Sequence, residues 1–172
     1  LYYQLPGKSL EICCMHLDKG QMWIGTTTDG AYRLQLDKNE LTHPILKGNI
    51  TSIYQDSEGE LWIGSWEEGL HHVKTDGTIE IFEYDAKNPY SISSNFVRAC
   101  CEDNLGNIWI GTFNGLNRYD KSTGLFQNHT ASDAQSDGLT HSSIWCIVKD
   151  NQGTLWLGTY FGGVNYINPE YE

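Results

Sequence analysis

Along this chain short runs of alternating apolar and polar residues are broken by glycine-containing turns. No stretch repeats its apolar residues at the three- and four-residue spacing of an amphipathic helix. The pattern predicts strands joined by tight turns. Four segments share it in detail: DKGQMWIGTTTDGAYRL from Asp18, DSEGELWIGSWEEGLHHV from Asp56, DNLGNIWIGTFNGLNRY from Asp103 and DNQGTLWLGTYFGGVNYI from Asp150. Each carries Asp, Gly, apolar, Trp, apolar, Gly, Thr or Ser, then Gly. The tryptophans are Trp23, Trp62, Trp109 and Trp156, at intervals of 39, 47 and 47 residues. A period of this length with several short strands per unit predicts an all-β fold, a β-propeller of four four-stranded antiparallel blades.

Each unit divides into strands by its apolar spacing. The inner strand precedes the Asp and carries apolar residues six and three positions upstream: Ile12 and Met15, Ile50 and Ile53, Val97 and Cys100, Ile144 and Ile147. DxxG then makes a hairpin in which the carboxylate accepts turn N–H groups and glycine takes positive φ; DKG in the first unit is one residue shorter. A second strand carries the Trp. A third follows the second glycine as AYRLQL, LHHVKT, LNRYD or VNYIN, and ELTHPILK, IEIFEYD and LFQNHT supply outer strands in three units only. LYYQL at the start has outer-strand character and could complete the last blade. Residues 1–172 thus read as one propeller domain or propeller fragment, with repeats at about 9–47, 48–85, 95–130 and 143–172 and residues 1–6 as a candidate closing strand. Four blades would close tightly, so the expectation includes self-association as a dimer, two chains forming one larger ring.

Composition narrows the function. Eleven Lys and Arg against 22 Asp and Glu give a net charge of −11, with no basic cluster, which argues against nucleic acid, anionic membrane surfaces and polyanions as partners. No apolar run approaches a membrane span. The chain opens at Leu1 without Met, as expected of a mature protein or a piece of a longer one.

The motif tryptophans recur at one structural position, which predicts core wedges between blades. The DxxG aspartates lack the ligand series of a calcium loop, so they read as turn caps and no metal is expected. Five cysteines show neither CxxC nor Cys-His zinc spacing and are expected as buried free thiols, a usage that suits an oxidising compartment poorly. No convergent acid-base set and no cofactor motif appears, so the segment reads as non-catalytic and cofactor-free.

Residues that break the repeat carry the functional expectation. After Gly-Thr/Ser the second turn holds Trp66, Phe113 and Tyr160 in three units but Thr27 in the first. Five positions before each repeat Asp stand Cys13, Thr51, Arg98 and Trp145. In a propeller these positions share a face with the blade connections, among them the long DAKNPYSISSN and TASDAQSDGLTHSS. Trp66, Phe113, Tyr160 and Trp145 are therefore expected as plates for a sugar's apolar face, with Arg98, Glu67, Glu68 and Asn114 beside them for its hydroxyls.

The DxxGxxWxG(T/S) cores, and GLNRYD from Gly115 above all, resemble the two-component regulator propeller repeat. That resemblance implies the periplasmic sensor region of a Bacteroides-type hybrid two-component histidine kinase, in which propellers precede a membrane span and a kinase and many members respond to glycan breakdown products. It implies recognition of an oligosaccharide or similar polar ligand, with a purely structural, dimerising propeller as the alternative.

Overall fold

The computed structural model describes residues 11–42, 44–131 and 138–171; the candidate closing strand at residues 1–6 lies outside them. The first blade is β1 (Ile12–Asp18), β2 (Gln21–Thr26), β3 (Ala31–Gln35) and β4 (Glu40–Leu41). The second is β5 (Ile50–Gln55), β6 (Leu61–Ser65), β7 (Leu70–Val73) and β8 (Ile79–Phe82). The third is β9 (Val97–Glu102), β10 (Ile108–Thr112), β11 (Gly115–Asp120) and β12 (Leu125–His129). The fourth has β13 (Ile144–Lys149), β14 (Leu155–Thr159) and β15 (Val164–Ile167) among the described residues. All pairings are antiparallel and sequential, as the repeat predicts. No helix among the described residues is long and apolar enough to cross a membrane.

ELTHPILK yields less strand than expected. Only Glu40–Leu41 pair as β4, and contact with β3 resumes in one bridge, Ala31 to Leu46. Pro44 between them has no N–H to give a ladder.

The Asp and the Trp of the motif form one device. Asp56 accepts the backbone N–H groups of Glu58 and Glu60 on one carboxylate oxygen and the Trp62 indole N–H at 2.9 Å on the other. Asp103 holds Trp109 at 2.8 Å and Asp150 holds Trp156 at 2.8 Å in the same way. The carboxylate caps the hairpin and orients the ring. Burial alone would raise the Asp56 pKa, but hydrogen bonds from Trp62 and Lys121 hold it below the usual range. In the shortened DKG turn the link is missing, and the buried Trp23 Nε1 has no partner among the described residues.

Alternation along each strand sends the Trp to one face and its neighbours to the other. The Trp face packs on the following blade. Trp23 lies with Ile50, Ile53 and Ile63; Trp62 with Val97, Cys100 and Ile110; Trp109 with Ile144, Leu155 and Leu157. The motif glycine admits the first residue of the next blade: a Cβ on Gly64 would stand 2.7 Å from Val97, and one on Gly111 2.6 Å from Ile144. Those contacts explain why the position is glycine.

The expectation of a wedge fails for Trp156. Trp62 and Trp109 are fully buried, whereas Trp156 is 44% exposed, because no further blade covers its face among the described residues. Ile12 and Met15, on the opposite flank of the first blade, are exposed for the same reason. Cysteines are corrected too. All five are free thiols, but only Cys100 and Cys101 are buried, while Cys13 and Cys146 are exposed on the flanking blades. Strand alternation would send the neighbouring Cys13 and Cys14 to opposite faces, but a bulge interrupts it and their sulfurs lie 4.0 Å apart.

Candidate functional site

That bulge recurs in every inner strand and places the site. Pairing skips Cys13 between Ile12 and Cys14, Thr51 between Ile50 and Ser52, Arg98 between Val97 and Ala99, and Trp145 between Ile144 and Cys146. A bulged residue has no cross-strand partner and its side chain is re-aimed. In the first two blades the freed side chain is small and bonds the neighbouring blade: the Cys13 thiol donates to Ile50 O and the Thr51 hydroxyl to Val97 O, both at 2.6 Å. Arg98 and Trp145 are too large for that role. Their side chains meet instead.

The Arg98 guanidinium carbon lies 4.0 Å from the centre of the Trp145 ring, 5.0 Å from Trp66 and 5.9 Å from Phe113. Tyr160 also stacks on Trp145, at 5.5 Å and 28°. Phe96 ties the group together, edge-on to Trp66 and tilted against Phe113. Five of the expected site residues thus form one assembly. Its geometry differs from free plates flanked by an arginine, because the cation sits on Trp145 and Trp66 and takes up ring surface that was expected to face a ligand.

The open plates lie next to it. A cavity of about 520 Å³ is lined by Phe113, Asn114, Ser143, His141, Tyr160 and Phe161, among others. Phe113 and Tyr160 belong to both the cavity and the arginine assembly. Ser143 is 3% exposed and its hydroxyl is buried without a partner among the described residues. His141 Nδ1 accepts the Ser143 N–H at 3.0 Å, which leaves Nε2 as the protonated nitrogen of the neutral ring. Phe161, 80% exposed, meets Tyr160 edge-on at 4.3 Å and His141 at 6.1 Å. Sequence reasoning missed Phe161, His141 and Ser143. GTYFGG, with two adjacent aromatics where the third unit has GTFNG, was the available signal.

Glu67 and Glu68 remain on the exposed turn after Trp66. Glu68 lies over Gly48, and neither acid pairs with Arg98 among the described residues. Acidic groups converge at Asp56, Glu58 and Glu60, but Lys121 already stands 2.9 Å from Asp56 and 2.8 Å from Glu58, while Glu60 bonds His72.

Comparison with known proteins follows the same repeats. The model of the two component regulator propeller matches residues 44–67, 91–114 and 138–161. No curated protein matches the chain. Among solved structures it is similar to the extracellular domain of a B. thetaiotaomicron protein assigned as hybrid two component system BT4673, at 22% identity and a TM-score of 0.59, over 95% of this chain and 28% of that one. A second such domain, assigned to BT3049 of the same bacterium, gives 23% identity and a TM-score of 0.55 over 98% and 30%. The WD40 β-propeller domain of Doa1 gives 16% and 0.66 over 90% and 50%. The chain therefore spans under a third of the two bacterial domains, and these likenesses establish the propeller fold. The motif of the two component regulator propeller is thus matched at three successive blades of this chain.

Proposed function

We propose that this chain is a non-catalytic, extracytoplasmic sensor segment of a hybrid two-component protein, which takes an oligosaccharide or similar polar ligand at the mouth formed by the bulge residues and the turns beside them and relays binding to a histidine kinase. The observation that carries the reading is the cavity beside the Arg98 assembly. It combines aromatic faces at Phe113, Tyr160 and Phe161 with the polar side chains of Asn114, His141 and Ser143, the pairing of flat apolar surface and polar groups that a sugar ring needs. The family repeats and the likeness to extracellular domains of two-component proteins support the placement outside the cytoplasm. Calorimetric titration with neutral and acidic oligosaccharides tests it: saturable heat with no turnover of the bound sugar is expected. Turnover would make the site an active site.

One observation favours the alternative of a structural, self-associating propeller. Trp156, Val148 and Tyr166 stand exposed on the last blade, and Ile12, Met15 and Leu17 on the first. Dimerisation would cover both. Sedimentation mass decides this independently of ligand, with a dimer expected if these faces meet.

A further inference from the structure

Arg98 is, among the described residues, a cation without an anion. Among the described residues its guanidinium makes no hydrogen bond and no ion pair, its Nε is buried without a partner, and aromatic rings surround it. Burial lowers its pKa from the ordinary value, opposed only in part by Tyr160. A guanidinium nevertheless keeps its proton in any protein setting. Most such groups find a carboxylate when they lose water, since desolvated charge is costly unless paired. Here ring faces supply part of the compensation, and the N–H groups keep their donor capacity.

Two features say what that capacity is for. The bulge position is spent on blade-to-blade hydrogen bonds in the first two blades, by Cys13 and Thr51, so a long arginine is not needed there to hold the fold. The cavity with the orphaned Ser143 hydroxyl adjoins the same rings, Phe113 and Tyr160. The guanidinium fork matches a planar carboxylate or two sulfate oxygens. One such fork serves one anionic group, and a net charge of −11 disfavours a ligand bearing many.

We propose that Arg98 receives the single carboxylate or sulfate of an otherwise neutral saccharide whose ring lies over Phe113, Tyr160 and Phe161. The proposal rests on the saccharide reading of this face and adds its chemical class.

The experiment is titration of the full 172-residue chain with matched sets of di- and trisaccharides. Each set holds a neutral sugar, the same sugar with one primary alcohol oxidised to a carboxylate, the same sugar bearing one sulfate, and a polysulfated chain. A singly charged member is expected to bind ~10- to 100-fold more tightly than its neutral parent and to weaken as salt is raised. Arg98→Gln is expected to erase that preference, so that charged and neutral members of a set bind alike. Arg98→Lys, which keeps the charge and loses the fork, should retain only part of it and serves as the readout if the glutamine variant does not fold. The carboxylate and sulfate arms tell which anion is preferred. Neutral members binding as tightly as their charged partners, or Arg98→Gln keeping the preference, overturns the anionic class and leaves the saccharide reading standing. Tightest binding by the polysulfated chain overturns the single-anion form. Heat from no member overturns both readings.

Discussion

The interfaces between blades and the mouth beside them are assembled from the same repeats, and they use repetition in opposite ways. At the interfaces the residues are alike in type and place: Asp56, Asp103 and Asp150 each cap a hairpin and hold an indole at 2.8 to 2.9 Å. At the mouth the place is alike and the residues are not. The bulge presents Cys13, Thr51, Arg98 and Trp145 in turn, two of them bonding the next blade and two of them stacking on each other. A residue required by every blade is explained by folding. A position held constant by the backbone and varied in chemistry is where the fold has room for a ligand.

The largest test of that contrast is truncation of a motif ring. Trp62 is fully buried, stacks on His72 at 3.8 Å and packs against the third blade. Trp62→Ala would open a cavity at a blade interface and leave one Asp56 lone pair short of a donor, an expected loss of about 3–5 kcal/mol. Urea unfolding followed by circular dichroism measures it. A loss near zero would mean that the shared residues do not hold the blades together and that the division between interface and mouth is wrong.

Much of this was legible in the sequence for a simple reason: hairpin caps, strand alternation and the Asp–Trp pair are local, so each unit announces its own strands. The mouth was legible in part because departures from a repeat can be seen without knowing where they point. Burial was not. Trp109 and Trp156 sit in nearly identical strings, IWIGT and LWLGT, yet their exposure depends on whether another blade lies opposite, which no local string encodes. Nor could the sequence show that Arg98 would lie on the rings rather than beside them, since that depends on the bulge and on rotamers set by three blades together. Ser143 and His141 were invisible because a serine and a histidine before an inner strand mean nothing until a cavity forms against them.

Trp156→Ala therefore sharpens the comparison, with a smaller effect. Trp156 keeps its Asp150 bond at 2.8 Å but has solvent on nearly half its surface. With the indole already partly hydrated, the substitution should cost about 1–2 kcal/mol, well below Trp62→Ala, because less apolar area returns to water and no enclosed cavity forms. Parallel denaturation curves of the two variants provide the check. If the costs are equal, then Trp156 is covered in solution, as a self-associated chain would have it, and the difference should reappear on dilution.

The smallest expected effect separates two residues at one backbone position. Thr51 and Arg98 are both bulged, but Thr51 spends its hydroxyl on Val97 O at 2.6 Å whereas Arg98 makes no bond to the protein among the described residues. Thr51→Val keeps the branched shape and removes the donor, so it should cost about 1 kcal/mol of stability, the ordinary net worth of one partly buried hydrogen bond. Saccharide affinity should stay unchanged, since the hydroxyl faces the neighbouring strand. Arg98→Gln should show the reverse, with its melting temperature near that of the parent and its loss confined to binding. Melting and titration of both variants side by side would expose a misassignment: if Thr51→Val loses affinity without loss of stability, the site extends across the second blade, and the small donor belongs to the ligand rather than to the fold.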